Sequence, residues 1–66
     1  LWLNASALTE EDFDEFASLF VHYANGNTTV KIKRGSKLYK MSHINDCRGL
    51  RDELLLFLGE DDIVYQ

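Results

Sequence analysis

The stretch VKIKRGSKLYK, Val30 to Lys40, decides the fold. Val30 and Ile32 alternate with Lys31 and Lys33, the period of a strand with one buried and one wet face. Arg34-Gly35-Ser36 then makes a tight turn, and Lys37 to Ser42 returns as a second strand on which Tyr39 and Met41 can share the buried side. Leu38, apolar at the opposite parity, leaves that assignment open. A β-hairpin from Thr28 to Ser42 is expected in the middle of the chain.

Working outward, the segment before the hairpin reads as a helix from about Glu10 to Ala24. Thr9 is a good N-cap, and Glu10, Glu11, Asp12, Asp14 and Glu15 crowd the first turns, where the macrodipole favours anions. Phe13, Phe16, Ala17, Phe20 and Tyr23 form one apolar stripe, and Asn25-Gly26-Asn27 supplies a stop. Leu1 to Ala5 precede it as a short strand, with Leu1, Leu3 and Ala5 on one face and Trp2 on the other. Beyond the hairpin, Asn45 or Asp46 caps a second helix that places Cys47, Leu50, Leu54, Phe57 and Leu58 on one side and ends at Gly59. Asp62 to Tyr65 reads as a closing strand.

The order is β-α-β-β-α-β, the pattern of a ferredoxin-like α+β domain. It predicts a four-stranded antiparallel sheet carrying both helices on one face, so that the two stripes share one surface, with Phe16, Phe20, Leu54 and Phe57 at the core. This fold hosts many unrelated functions.

Sixty-six residues make a single domain with no room for a cleft between domains, and no run approaches the roughly 18 apolar residues a membrane span requires. Cys47 is the only cysteine, which excludes an internal disulfide and favours the cytoplasm over secretion. The sequons at Asn4 and Asn27 carry meaning only in a secreted protein. Because the chain starts on an apolar run at Leu1 with no polar lead-in, we expect residues 1–66 to be a segment of a larger protein.

Charge is segregated along the chain. Residues 31 to 51 hold all seven basic residues and one acid, whereas residues 1 to 30 and 52 to 66 hold five acids each and no base. Lys31, Lys33, Arg34, Lys37 and Lys40 therefore form a candidate phosphate-contacting ribbon, since clustered cations gain affinity by releasing condensed counterions. Against this, lysines on an exposed strand also block edge-to-edge pairing, and a net charge of -4 repels a polyanion at long range. The five are expected to be chiefly a solvated face, with single-stranded DNA bound no better than about 100 μM at physiological salt. An RNA-recognition domain would place aromatics on the first and third strands, where Trp2 and Tyr39 lie, but its glycine-and-aromatic signature is absent.

His43 and Cys47 are four apart, yet no CxxC or HxxxH accompanies them, so neither metal nor cofactor is expected. A thiol nucleophile at Cys47 would have no cleft to hold its substrate, and no catalytic residue is assigned.

The tail GLRDELLLFLGEDDIVYQ resembles the carboxy-terminal end of the α subunit of bacterial DNA polymerase III, with a leucine-rich helix, Leu58-Gly59, an acidic turn and a closing strand. The likeness runs along the whole chain: LWLNAS, EDFDEFASLFVHYANGN and TTVKIKRGSKLYKM match in order that family's opening strand, helix and hairpin. Tyr23-Ala24-Asn25-Gly26 stands where the family usually has a His-Pro-Gly-like step. The resemblance implies a non-catalytic interaction module that docks to the clamp-loader τ subunit or another replisome protein, with DNA synthesis and most DNA contact left to the parent polymerase. The competing readings are a nucleic-acid-binding ferredoxin-like domain using the basic hairpin and a small regulatory sensing domain.

Overall fold

The computed structural model describes residues 1–65. Strand β1 (Trp2–Asn4) leads into helix α1 (Glu10–Leu19), then strands β2 (Ala24–Arg34) and β3 (Lys37–Ile44), helix α2 (Arg48–Phe57), a 3₁₀ turn (Glu60–Asp62) and strand β4 (Ile63–Val64). The element order is the expected one. Gln66, the last residue of the quoted tail, lies outside the described residues.

The sheet is mixed, not antiparallel. Its strand order is β3-β2-β1-β4, with β1 parallel to β2 and antiparallel to β4, and β2 antiparallel to β3. A split β-α-β would insert the third strand between the first two; here β1-α1-β2 is an unsplit unit of adjacent parallel strands. The side chains explain the preference. Val30 and Ile32 of β2 are fully buried, as a central strand under two helices demands, whereas β3 is largely exposed and suits an edge.

Both helices cover one face. Phe16 and Phe20 from α1 and Leu50 and Leu54 from α2 join Leu3, Val30, Ile32 and Ile63 in a single core. Phe16, fully buried, meets Phe20 and Phe57 edge-to-face at centroid distances of 5.5 and 5.8 Å. Phe57 itself is only partly buried, packed against the core rather than within it. Tyr39 opposes Ile32 and Met41 opposes Val30, which places both on the helix-bearing side and leaves Leu38 exposed on the other.

The helix ends differ from expectation. Thr9 caps α1 as predicted, its Oγ1 accepting from the Asp12 amide at 3.1 Å. However, α1 stops at Leu19, and the amides of Phe20 to Tyr23 each bond three residues back in tightening turns. Tyr23 is thereby freed to donate its hydroxyl to Glu53 at 2.5 Å, tying the exit of α1 to α2. This bond, above all, pushes the Tyr23 phenol up to about 12.

Asn25, Gly26 and Asn27 are not a helix stop but the bulged start of β2, where Asn25 takes φ 71°. Gly26 is needed there because a Cβ would collide with the Ile44 carbonyl and the Asn45 backbone. Cys47, not Asn45 or Asp46, occupies the N-cap of α2, with no side-chain capping bond. Asp46 instead accepts two bonds of 2.8 Å from Arg51, which lowers its carboxyl below the ordinary value. Arg51 lies over the Tyr65 ring at 4.2 Å.

Candidate functional site

The face of the sheet away from the helices is uncovered, and the strand register fixes what stands on it. One row across the sheet runs Val64, Trp2, Lys31, Lys40; the next contains Asn4, Lys33 and Leu38. Trp2 is half-buried, while Lys31, Lys33, Lys40, Leu38 and Val64 are exposed. No acidic residue lies in any of the four strands; all eleven belong to the helices, the 3₁₀ turn and the connections. The helix layer is anionic, and the open face carries Lys31, Lys33 and Lys40 with one carboxylate beside β1, Asp62, whose Oδ1 accepts from Asn4 Nδ2 at 3.5 Å.

The five candidate basic residues do not share one face. Lys31, Lys33 and Lys40 share the open face, and none of them lies in an ion pair among the described residues. Lys31 and Lys40 are directly opposite, an arrangement of like charges that is unfavourable in itself. Edge protection does not account for Lys31 and Lys33, because β2 is an inner strand.

Arg34 and Lys37 pair with each other on the helix side of the hairpin. Arg34 is structural: its guanidinium donates to the carbonyls of Ala5 at 3.0 Å and Leu8 at 2.8 Å and lies over the Phe13 ring at 4.4 Å. It clasps the connection between β1 and α1 to the hairpin. Gly35, at φ 60°, makes the turn and donates its amide to Ser6 Oγ at 2.9 Å.

Beside this clasp lies an open groove of about 650 Å³ lined by Glu10, Phe13, Asp14, Lys37 and Tyr39 among others. Tyr39 belongs to it, and to an edge strand, so it cannot extend a stacking surface from Trp2 across the open face. His43 is exposed at φ 60° and Cys47 is half-buried. Among the described residues no three His, Cys, Asp or Glu side chains converge as a metal site requires. No described helix is long and apolar enough to cross a membrane.

A second uncovered surface lies on α2. Leu50 and Leu54 are fully buried, but Leu55 and Leu56 are 45% and 81% exposed. The apolar run LLLF is longer than one face of a helix can bury. What the residue pattern did not reveal is the neighbourhood of Trp2 and the lysines, which depends on β1 lying beside β2.

No family model, curated protein or solved structure matches the chain.

Proposed function

We propose that this chain is a non-catalytic protein-interaction module from the carboxy-terminal end of a bacterial replicative DNA polymerase α subunit, docking to the clamp-loader τ subunit or another replisome protein in the cytoplasm. The observation that carries it is the pair Leu55 and Leu56, left exposed on the helix whose sequence bears the polymerase resemblance. Leu56, 81% exposed, contributes nothing to the core, and with Leu55 it offers apolar area that a docking partner could cover. No step of DNA synthesis is assigned to these residues.

The test is calorimetry of the chain against the τ subunit of the same organism, with Leu56→Asp alongside. Leu56 lies outside the core, so this variant keeps the fold, checked by circular dichroism, while complex formation is lost. A chain that forms no complex with τ or any other replisome subunit, or a complex indifferent to both Leu55→Asp and Leu56→Asp, overturns the proposal.

A further inference from the structure

The open sheet face holds a combination that the docking surface on α2 does not explain. Three lysines that have no ion-pair partner among the described residues stand on one side of Trp2, two of them on an inner strand, and Lys31 is its immediate neighbour across the β1–β2 ladder. From this juxtaposition we propose that the face binds a single strand of nucleic acid, Trp2 stacking on a base while Lys31, Lys33 and Lys40 hold successive phosphates.

Three physical arguments select that occupant. Lysine is depleted from the centres of protein–protein interfaces, so Lys31 and Lys33 in mid-face argue against a protein partner there. An acidic peptide would satisfy the lysines but has no use for an indole beside them. A nucleic acid uses both, stacking bases on aromatic rings while cations track the backbone. The strand must be single because a base has to be splayed out of a stack to reach Trp2, and a flat sheet enters neither groove of a duplex in that way.

Lys31 and Lys33 are two residues apart on one strand, about 6.6 Å, a step that suits neighbouring phosphates of an extended single strand. The acids do not oppose this approach as the net charge alone implies. No strand carries an acid; Asp62, whose Oδ1 accepts from Asn4 at 3.5 Å, is a carboxylate that reaches this face beside β1, and Lys31, Lys33 and Lys40 outnumber it, so the phosphates meet a locally positive field. Contacts are few and carry no base-edge readout, so binding is sequence-tolerant, weak and steeply salt-dependent.

Trp2 is the only tryptophan, which makes its fluorescence a direct report of stacking. Titration with a short oligothymidylate at low salt should quench that fluorescence and raise the anisotropy of the labelled strand, with Kd on the order of tens of micromolar. Three phosphate contacts give a slope of about -2 in log K against log salt, and Lys33→Ala reduces it by about 0.7. Trp2→Leu weakens binding, read by anisotropy, by about tenfold. Lys37→Ala, on the helix side, and Leu56→Asp, on the docking helix, leave it unchanged, so failure here is distinct from failure of the protein-docking reading.

Circular dichroism of each variant establishes that the fold persists. Any of three results overturns the proposal: anisotropy that rises without quenching of Trp2, a salt slope indifferent to Lys31→Ala and Lys33→Ala, or duplex DNA or a polyglutamate peptide binding as well as the single strand. Absence of both signals at low salt overturns it too.

Discussion

Arg34 and Lys31 sit on the same strand three residues apart, and their removal should have opposite consequences. In Arg34→Ala, the carbonyls of Ala5 and Leu8 lose their guanidinium donor and Phe13 loses the cation above its ring. A bond to a charged group is worth about 1.5–3 kcal/mol, and the half-exposed position of Arg34 lets water replace part of it, which leaves about 1 kcal/mol each. The cation–π contact adds about 0.5–1 kcal/mol. The expected loss is therefore about 2–3 kcal/mol, a large share of the roughly 3–10 kcal/mol available to a chain of 66 residues.

Thermal unfolding followed by circular dichroism should show a fall in Tm of roughly 10–20 °C for a domain of this size. Arg34→Lys keeps the charge but loses the planar guanidinium that lies over the Phe13 ring while Nη1 reaches both carbonyls, so it falls between. Lys31→Ala removes one of two opposed like charges and should leave Tm unchanged or slightly raised. If Arg34→Ala costs no more than Lys31→Ala, the clasp does not hold the β1–α1 connection and the division of the basic residues into structural and surface groups is wrong.

Other consequences are more local. Phe16→Leu, which removes edge-to-face contacts with Phe20 and Phe57, should lower stability in urea by about 2 kcal/mol, and an unchanged midpoint would mean that the aromatic cluster is not the core. Gly26→Ala should cost about 2 kcal/mol or more as its Cβ meets the Ile44–Asn45 backbone, whereas Gly59→Ala, with open space around it, should change stability by less than about 1 kcal/mol. One of the three tyrosines should ionise near 12, by tyrosinate absorbance, and Glu53→Gln should bring it back toward the ordinary value. The folded-state pKa is raised, so the stabilisation from this bond is fully present below the ordinary tyrosine pKa of 10.0 and is lost as pH climbs through about 12.

Much of this molecule was legible because local patterns report which side of an element is dry. The stripes of α1 and α2 and the outward Lys31 and Lys33 follow from periods of 3.6 and 2, and the cap at Thr9 and the hairpin turn at Gly35 from the local chemistry of caps and turns. Even the structural role of Arg34 had a signal, since it continues the parity of Val30 and Ile32 toward the helices. Asn25-Gly26-Asn27 misled because its residues favour a helix stop, while the decisive fact is a close approach to Ile44 and Asn45 from a distant part of the chain. Strand neighbours were illegible for the same reason. Alternation says which face a residue takes, but nothing about which strand lies beside it.

Strand order is therefore the feature most worth testing, because the pairing of Trp2 with Lys31 depends on it. The Lys31 amide donates to the Leu1 carbonyl and the Lys33 carbonyl accepts from the Ala5 amide, both at 2.8 Å, so the backbones of these two residues face β1. By alternation, Val30, Ile32 and Arg34 face β3, and their partners Met41, Tyr39 and Lys37 face β2 in return. Leu38 and Lys40 then point their amides into solvent at the sheet edge. Hydrogen exchange should find Lys31, Ile32 and Lys33 all slow, and within β3 a slow Tyr39 and Met41 alternating with a fast Leu38 and Lys40. A split arrangement, with β3 between β1 and β2, reverses this: Leu38 and Lys40 become protected and Lys31 and Lys33 exchange freely. That outcome would move Trp2 away from Lys31 and remove the basis for a stacking site flanked by cations.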